Sequence, residues 1–348
     1  MDKQVLLRPA GGTIIGSGHV MRCLALAQAW GDQGGTSLII LDAGLEVLSS
    51  QIRSEKIDTL TVNTGSGTLP DACEVIRIGH KTGAKWIVLD GYVFTSEYLL
   101  LLKQSGFQIM VIDDFAMSGK RGADVVLNQN LHAEESQYLN GEQHTRLLFG
   151  TKYVLLRQEF LAYRNKERSI SAKAHKIIVT FGGSDPNNVT ELAVKALNSI
   201  SKLDFEVKVI VGLANTRIVP IRNLITESRH SMQLVVGNRD MSGTMAWADM
   251  AISAGGTTSW ELVFMRVPSI VIVTSENQTE IAASLERKGI ALNAGWYSNL
   301  SEKTLSSMIE NLALNFKARD SMKASGERIV DGFGAYRVAK CFKNCDGS

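Results

Sequence analysis

The sequence predicts an α/β fold built as two doubly wound halves, each a parallel sheet covered on both faces by helices. Three observations predict it. Short apolar runs of strand length alternate with amphipathic stretches nearly everywhere, which is the pattern of β-α-β units. Those runs fall into two series, separated by a polar stretch at residues 163–175. The length of 348 residues suits about two domains.

The first series opens with Val5-Leu6-Leu7, which runs into a glycine-rich turn. Apolar residues at 20, 21, 24, 27 and 30 predict a helix from 20 to 30. Residues 38–41, 86–89, 109–112 and 125–127 read as buried strands, with a helical pattern over 96–105. The second series has strands at 177–180, 207–211, 233–236, 250–253 and 270–273. The stretch 163–175, rich in Arg, Asn, Lys, Glu and Ser, is the expected linker. The domains are placed at 1–165 and 166–348. The C-terminal stretch reads as helical, with the last helix free to pack back on the first domain.

Composition narrows the function. Hydrophobic residues make up 45% and charged residues 21%, which excludes global disorder, collagen and coiled coil. Lys plus Arg is 37 against 35 Asp plus Glu, too balanced for a dedicated nucleic-acid binder. The four cysteines, Cys23, Cys73, Cys341 and Cys345, are scattered without a Cys-x-x-Cys pair. That argues against zinc, a redox dithiol or a disulfide framework. No membrane-length apolar run or cleavable leader is visible, so a cytoplasmic location is expected; the expected state is a monomer. Gly is abundant, at 31, and Pro scarce, at 5. Excess Gly without Pro suggests tight strand-to-helix turns, or backbone that comes close to a ligand.

In open α/β sheets, ligands bind outside the carboxyl ends of the strands, so the residues after each strand matter most. The first loop is Arg8-Pro9-Ala10-Gly11-Gly12-Thr13-Ile14-Ile15-Gly16-Ser17-Gly18-His19. It is no dinucleotide fingerprint, because Met21 stands where Gly or Ala is needed. No Lys-Ser/Thr follows, so it is no Walker loop. What remains is Gly-x-Gly-His with the His in a first helical turn. The helix N-terminus disfavours an imidazolium there, so His19 is a candidate base toward water or a hydroxyl. The alternative is a capping or packing His.

Three further loops belong to the second half. Phe181-Gly182-Gly183-Ser184-Asp185-Pro186-Asn187-Asn188 offers backbone N–H groups at a helix start, a setting for phosphate. Asp185 or Ser184 can cap that helix, and an ordinary capped turn is the alternative. Ser253-Ala254-Gly255-Gly256-Thr257-Thr258-Ser259-Trp260-Glu261 suits a diphosphate, with Glu261 able to accept both hydroxyls of a ribose or to be a solvated surface residue. Glu276-Asn277-Gln278-Thr279 can bind sugar or phosphate oxygens, or simply be a polar helix start. In the first half, Asp90 and the pair Asp113-Asp114 end strands, as site residues or turn residues. The histidines and carboxylates show no metal-ligand spacing, so no metal and no cofactor is expected. No Gly-x-Ser-x-Gly elbow is present.

Arg8 through Cys23, ending Ile15-Gly16-Ser17-Gly18-His19-Val20-Met21-Arg22-Cys23, resembles the opening of the UDP-diacetamido-trideoxy-altropyranose hydrolases of pseudaminic acid biosynthesis. Further matching stretches are Leu89-Asp90-Gly91-Tyr92, Val111-Ile112-Asp113-Asp114, Leu127-Asn128-Gln129-Asn130, and Phe149-Gly150-Thr151-Lys152-Tyr153-Val154-Leu155-Leu156-Arg157. Phe181 to Asp185, Ser253 to Thr258 with Glu261, and Asn277-Gln278 follow in order, so the resemblance spans residues 4 to 295.

The resemblance implies a GT-B-like fold, two Rossmann-like domains facing across a cleft. It implies that the second domain holds UDP and the first the catalytic apparatus, with His19 activating water for inverting, metal-free release of UDP. Gly16, Gly18, Arg22, Asp90, Tyr92 and Asn128 are the implied sugar-site residues. Gly182, Gly183, Ser184, Gly255, Gly256, Thr257, Thr258, Glu261, Asn277 and Gln278 are the implied nucleotide-site residues.

The chain departs from the family at two positions. Ala10 replaces the Asp of Arg-x-Asp, and Gly91 replaces the His of Asp-His-Tyr. Both lie near the expected sugar site. An inverting glycosyltransferase, with His19 deprotonating an acceptor hydroxyl, is the alternative, and a non-catalytic nucleotide-sugar sensor a third reading.

Overall fold

The computed structural model describes residues 4–11, 17–115, 122–138 and 145–343. The chain forms two compact units. One is made of residues up to Gln158 together with those from Gly332 onward, and the other of Glu159–Asp331.

The first unit holds seven parallel strands: β1 (Gln4–Pro9), β2 (Thr36–Asp42), β3 (Asp58–Val62), β4 (Trp86–Asp90), β5 (Gln108–Ile112), β6 (Val125–Asn128) and β7 (Arg146–Phe149). Their spatial order is β3-β2-β1-β4-β5-β6-β7. Alternate residues point to opposite faces of a strand, and the core divides accordingly. Leu7, Ile39, Leu41, Val88 and Met110 pack on one face, with the helix Gly18–Gly31 and the returning helix Gly334–Ala339. Leu6, Ile40, Ile87, Leu89 and Val111 pack on the other, under the helices Leu69–Thr82 and Ser96–Gln104. Burial on both faces explains why these strands read as unbroken apolar runs.

The second unit repeats the plan with β8 (Lys176–Thr180), β9 (Glu206–Val211), β10 (Ser231–Val236), β11 (Met250–Ala254), β12 (Ser269–Val273) and β13 (Ala291–Trp296). The order is β10-β9-β8-β11-β12-β13, all parallel. Three strands go beyond those read from the sequence: β3, β7 and β13, each at a sheet edge. An edge strand is covered on fewer sides, so its apolar run is broken. Asp58, Leu60 and Thr61 of β3 are exposed.

The polar stretch 163–175, expected as a linker, lies wholly within the second unit. Two arginines tie it there, Arg319 buried and Arg168 half-buried. Arg168 donates to the carbonyls of Met245 and Ala248 at 2.6 Å and Met265 at 2.9 Å, and burial brings its pKa down to about 10. Arg319 donates to the carbonyls of Ser171, Ala172 and Leu312. Composition marked the stretch as polar, and the fold uses both its Arg168 side chain and its carbonyls at Ser171 and Ala172 to hold it in the second unit.

In each sheet the chain winds outward one way, then the other. The reversal falls between β1 and β4 in the first unit and between β8 and β11 in the second. Crevices at such reversals are where open α/β sheets bind ligands.

Candidate functional site

At the first reversal, the end of β1 leads to the helix Gly18–Gly31 and the end of β4 is Asp90. His19 lies in that helix's first turn and is buried. Its Nδ1 stands 2.6 Å from Oδ1 of Asp90, which is fully buried. Arg22 Nη2 also stands 2.9 Å from Nδ1, but the contact to the carboxylate oxygen is the shorter and two acceptors would repel there, so we assign Nδ1 the proton, donated to Asp90. The other ring nitrogen, Nε2, is then the basic one.

Arg22, one turn further along the helix, locks the carboxylate in place. Its Nε and Nη2 donate to the two oxygens of Asp90 at 2.9 and 2.6 Å, and its Nη1 to both oxygens of Asp114 at 2.8 and 2.9 Å. Bidentate pairs of this kind are the strong, direction-setting ones. Burial would raise the Asp114 carboxyl, but the Arg22 guanidinium outweighs it and holds the group well below the usual carboxylate range. Asp114 also accepts from the Tyr92 hydroxyl at 2.9 Å and from Asn130 Nδ2 at 3.0 Å. Burial pushes the neighbouring Cys23 thiol well up, which makes it inert as a nucleophile.

A second buried network lies one strand away. Arg8 donates to Asp42 at 2.6 Å and to Asp71 at 2.8 Å, and Tyr98 donates to Asp71 at 2.9 Å. Asp42 also accepts from the Gly11 backbone N–H and the Ser66 hydroxyl. It therefore ties down the start of the glycine loop that leads toward His19.

The two departures, Ala10 and Gly91, touch. The Ala10 N–H donates to the Asp90 carbonyl at 2.7 Å. A Cβ at Gly91 would stand 2.3 Å from that of Ala10, and Gly91 has φ +149°. Position 91 is thus closed to a side chain by both backbone and neighbour.

In the second unit, the loops after β8, β11 and β12 are joined by side chains. Gln278 Oε1 accepts from Gly255 N at 3.2 Å, Thr274 N at 2.9 Å and Thr274 Oγ1 at 3.0 Å. Asn187 Nδ2 donates to the Thr274 carbonyl, and its oxygen accepts from the Tyr297 hydroxyl. Asp185 caps the helix Val189–Asn198 through the N–H groups of Val189 and Thr190, at 3.0 and 2.9 Å. The helix starts later than the sequence suggests because Asp185 and Asn188 have positive φ. Gly182, at φ +82°, faces open space. Gly212, after β9, lies so close to the next loop that a Cβ would meet the Gly183 carbonyl oxygen at 2.1 Å.

The structure brings His19, Arg22, Asp90 and Tyr92 into one cluster; Gly18 opens the same helix. Gly16 lies outside the described residues. Asn128 is buried, accepting from Asn130 N and donating to Tyr138. Of the nucleotide-site residues, Gly255 and Gln278 are in direct contact, and Gly256 lies beside the Gln278 amide. Thr257 and Thr258 start the helix Thr258–Phe264, whose Glu261 is buried. Asn277 accepts from Ser275 Oγ, and Gly182, Gly183 and Ser184 lie on the separate loop after β8. Asn130, Arg8 and Asp42 were not singled out as site residues by sequence, whereas Asp114 was a strand-end candidate without an assigned role. Asp114 carried a signal, as a carboxylate ending a strand, but its partner Arg22 is 92 positions away. Among the described residues no group of His, Cys, Asp and Glu is placed to hold a metal ion, and no helix is long and apolar enough to cross a membrane.

Residues 177–333 match the Glycosyltransferase family 28 C-terminal domain. The chain is 27% identical over 217 residues to the spore coat polysaccharide biosynthesis protein SpsG of Bacillus subtilis, covering 62% of this chain. It spans 63% of that relative's length. It is 20% identical over 288 residues to the UDP-2,4-diacetamido-2,4,6-trideoxy-beta-L-altropyranose hydrolase of Campylobacter jejuni, covering 82% of this chain and 97% of the relative. The Acinetobacter baumannii MurG structure superposes with a TM-score of 0.67 at 16% identity, over 98% of this chain and 99% of that one. The resemblance to the hydrolases is therefore borne out, and the architecture is GT-B, with two Rossmann-like units.

Proposed function

We propose that the chain is a sugar-nucleotide hydrolase that releases UDP from a diacetamido-trideoxyhexose nucleotide. The observation that carries the proposal is the His19–Asp90 pair, 2.6 Å apart, at the first unit's strand-order reversal. Asp90 fixes the tautomer, and Arg22 fixes Asp90. His19 Nε2 takes a proton from water as the water oxygen bonds to the anomeric carbon. The bond from that carbon to the phosphate oxygen breaks, UDP leaves with the electron pair, and the configuration inverts. The carboxylate stabilises the imidazolium formed in the step. The second unit supplies the nucleotide-binding loops: Gly182, Gly183 and Ser184 after β8, and Gly255, Gly256, Thr257, Thr258 and Gln278 around the β11 and β12 ends. Backbone N–H groups there suit a diphosphate, with Glu261 assigned to the ribose and Asn277 to the phosphates.

The relative from Campylobacter jejuni supports this substrate class by its name. The test is UDP release from purified UDP-2,4-diacetamido-2,4,6-trideoxy-β-L-altropyranose, the substrate that relative's name gives. His19→Ala is expected to lower the rate by about 10²-fold or more; an unchanged rate sinks the mechanism.

A second reading has a specific observation behind it. The match of residues 177–333 to a glycosyltransferase domain supports transfer to an acceptor hydroxyl, with His19 as the same base. Nucleotide release that depends on an added acceptor would favour transfer over hydrolysis.

A further inference from the structure

Arg22 reaches the proposed base as well as the carboxylates. Its Nη2 stands 2.9 Å from His19 Nδ1, within hydrogen-bond distance. The same nitrogen donates to Asp90 Oδ1 at 2.6 Å, the oxygen that Nδ1 also reaches at 2.6 Å. Two proton arrangements of a neutral ring therefore compete. In one, Nδ1 and Nη2 both donate to Asp90, and Nε2 keeps its lone pair. In the other, Nδ1 accepts from Nη2, the proton sits on Nε2, and no lone pair is left to take a proton from water.

Which arrangement wins depends on where the guanidinium points, because its N–H groups form a rigid planar fork. Asp114, just beyond β5, sets that direction. Its two oxygens take Arg22 Nη1 at 2.8 and 2.9 Å. Asp114 is itself held from two sides, by the Tyr92 hydroxyl at 2.9 Å and by Asn130 Nδ2 at 3.0 Å. The Asn130 backbone N–H donates in turn to Asn128 Oδ1, and Asp114 and Asn130 are both buried. Among the described residues, the charged groups set around the ring are Arg22 from its own helix, Asp90 from β4 and Asp114, with the Tyr92 ring edge-on. Arg22 keeps Asp114 ionised, holding its carboxyl well below the usual carboxylate range.

We infer that Asp114 is a positioning residue that selects the His19 tautomer: by holding Nη1 it keeps Arg22 aimed at Asp90, so the proton stays on Nδ1 and Nε2 remains the base. Without the carboxylate, Nη1 loses its charged acceptor, and the fork is free to turn Nη2 onto Nδ1.

The inference rests on the reading of His19 as the base. Its test is nitrogen NMR of the full chain carrying isotope-labelled histidine, at about pH 8, where an ordinary imidazole is neutral. The His19 signals are those missing from His19→Gln. The unaltered chain is expected to show a protonated Nδ1 and a bare Nε2. Asp114→Asn is expected to move the ratio of the two forms about tenfold toward a protonated Nε2, the difference between a charged and a neutral acceptor on Nη1. The kcat for UDP release should fall with it, with KM little changed. Asn130→Ala keeps both carboxylates but loosens Asp114, so a smaller shift in the same direction is expected; this variant carries the test if circular dichroism shows Asp114→Asn unfolded. A protonated Nε2 in the unaltered chain overturns the inference, and so do unmoved His19 signals in the folded variant. Failure of the hydrolase reading shows separately, as no UDP release from a chain whose His19 signals behave as expected.

Discussion

At the scale of single residues, the site turns on one buried guanidinium. Arg22 touches both carboxylates of the cluster with all three of its nitrogens. Asp90→Asn keeps the shape but removes the charge that fixes the His19 tautomer. UDP release from the sugar nucleotide is expected to fall about 10²- to 10⁴-fold. The double variant His19→Ala/Asp90→Asn should fall no further than the worse single one, because the two act as a unit. Asp114 makes a different prediction, about acid. Its folded pKa is depressed, with Arg22 overriding burial. Its contribution to stability is therefore present above the unfolded value of about 4 and lost as pH falls below that toward the folded value. Urea unfolding of Asp114→Asn should show a shallower loss of stability below about pH 4 than the unaltered chain. At pH 7 the variant should be less stable, by up to about 3–5 kcal/mol, because buried Arg22 loses a charged partner. Much of this was legible: His19, Arg22, Asp90 and Tyr92 are all visible as candidates. What the sequence could not give was their pairing. His19 and Asp90 are 71 positions apart and meet only because β1 pairs with β4.

At the scale of elements, strands buried on both faces were legible, and three of the four edge strands were not; β10, the fourth, was read from its apolar run at 234–236. β3, β7 and β13 lack the continuous apolar run that marks β1, β4 or β8. Some of the glycine signal was legible too, since Gly182, Gly183, Gly255 and Gly256 do sit at strand ends. Gly212 was not, because nothing in Val-Gly-Leu announces that the loop after β8 passes over it. That contact is specific: a Cβ would lie 2.4 Å from the Gly183 Cα. Gly212→Ala is expected to cost roughly 1–3 kcal/mol through overpacking. The same displacement would disturb the loop proposed to bind nucleotide. The measurement is melting with and without UDP; UDP is expected to stabilise the unaltered chain, and to stabilise the variant less.

At the scale of the whole molecule, two repeats of one winding pattern were visible as two series of apolar runs. The connection between them was not. Polar composition suggested a linker at residues 163–175, yet Arg168 and Arg319 hold that stretch inside the second unit, and the chain passes between units at Gln158–Glu159 and Asp331–Gly332. The segment after the second crossing completes the first unit. Ala335, Val338, Ala339 and Phe342 join its core, the Phe342 ring meets Trp30 at 5.4 Å, and the Tyr336 hydroxyl donates to Asp32. Trp30 and Asp32 sit at the far end of the helix that begins beside His19. Deleting residues 332–343 is therefore expected to destabilise the first unit by several kcal/mol and leave the second unchanged. Hydrogen exchange would show lost protection in β1, β4 and the helix Gly18–Gly31, with β8 and β11 as before.

The double crossing also sets an order of events during synthesis. Domains usually fold in the order in which they leave the ribosome. Here the second unit is one unbroken segment, so it can close while the first still waits for its final helix. The unit begun first is the unit finished last. Until residues 332–343 emerge, the His19 helix lacks the packing at its far end, so the base would be assembled only after the loops proposed to hold the nucleotide.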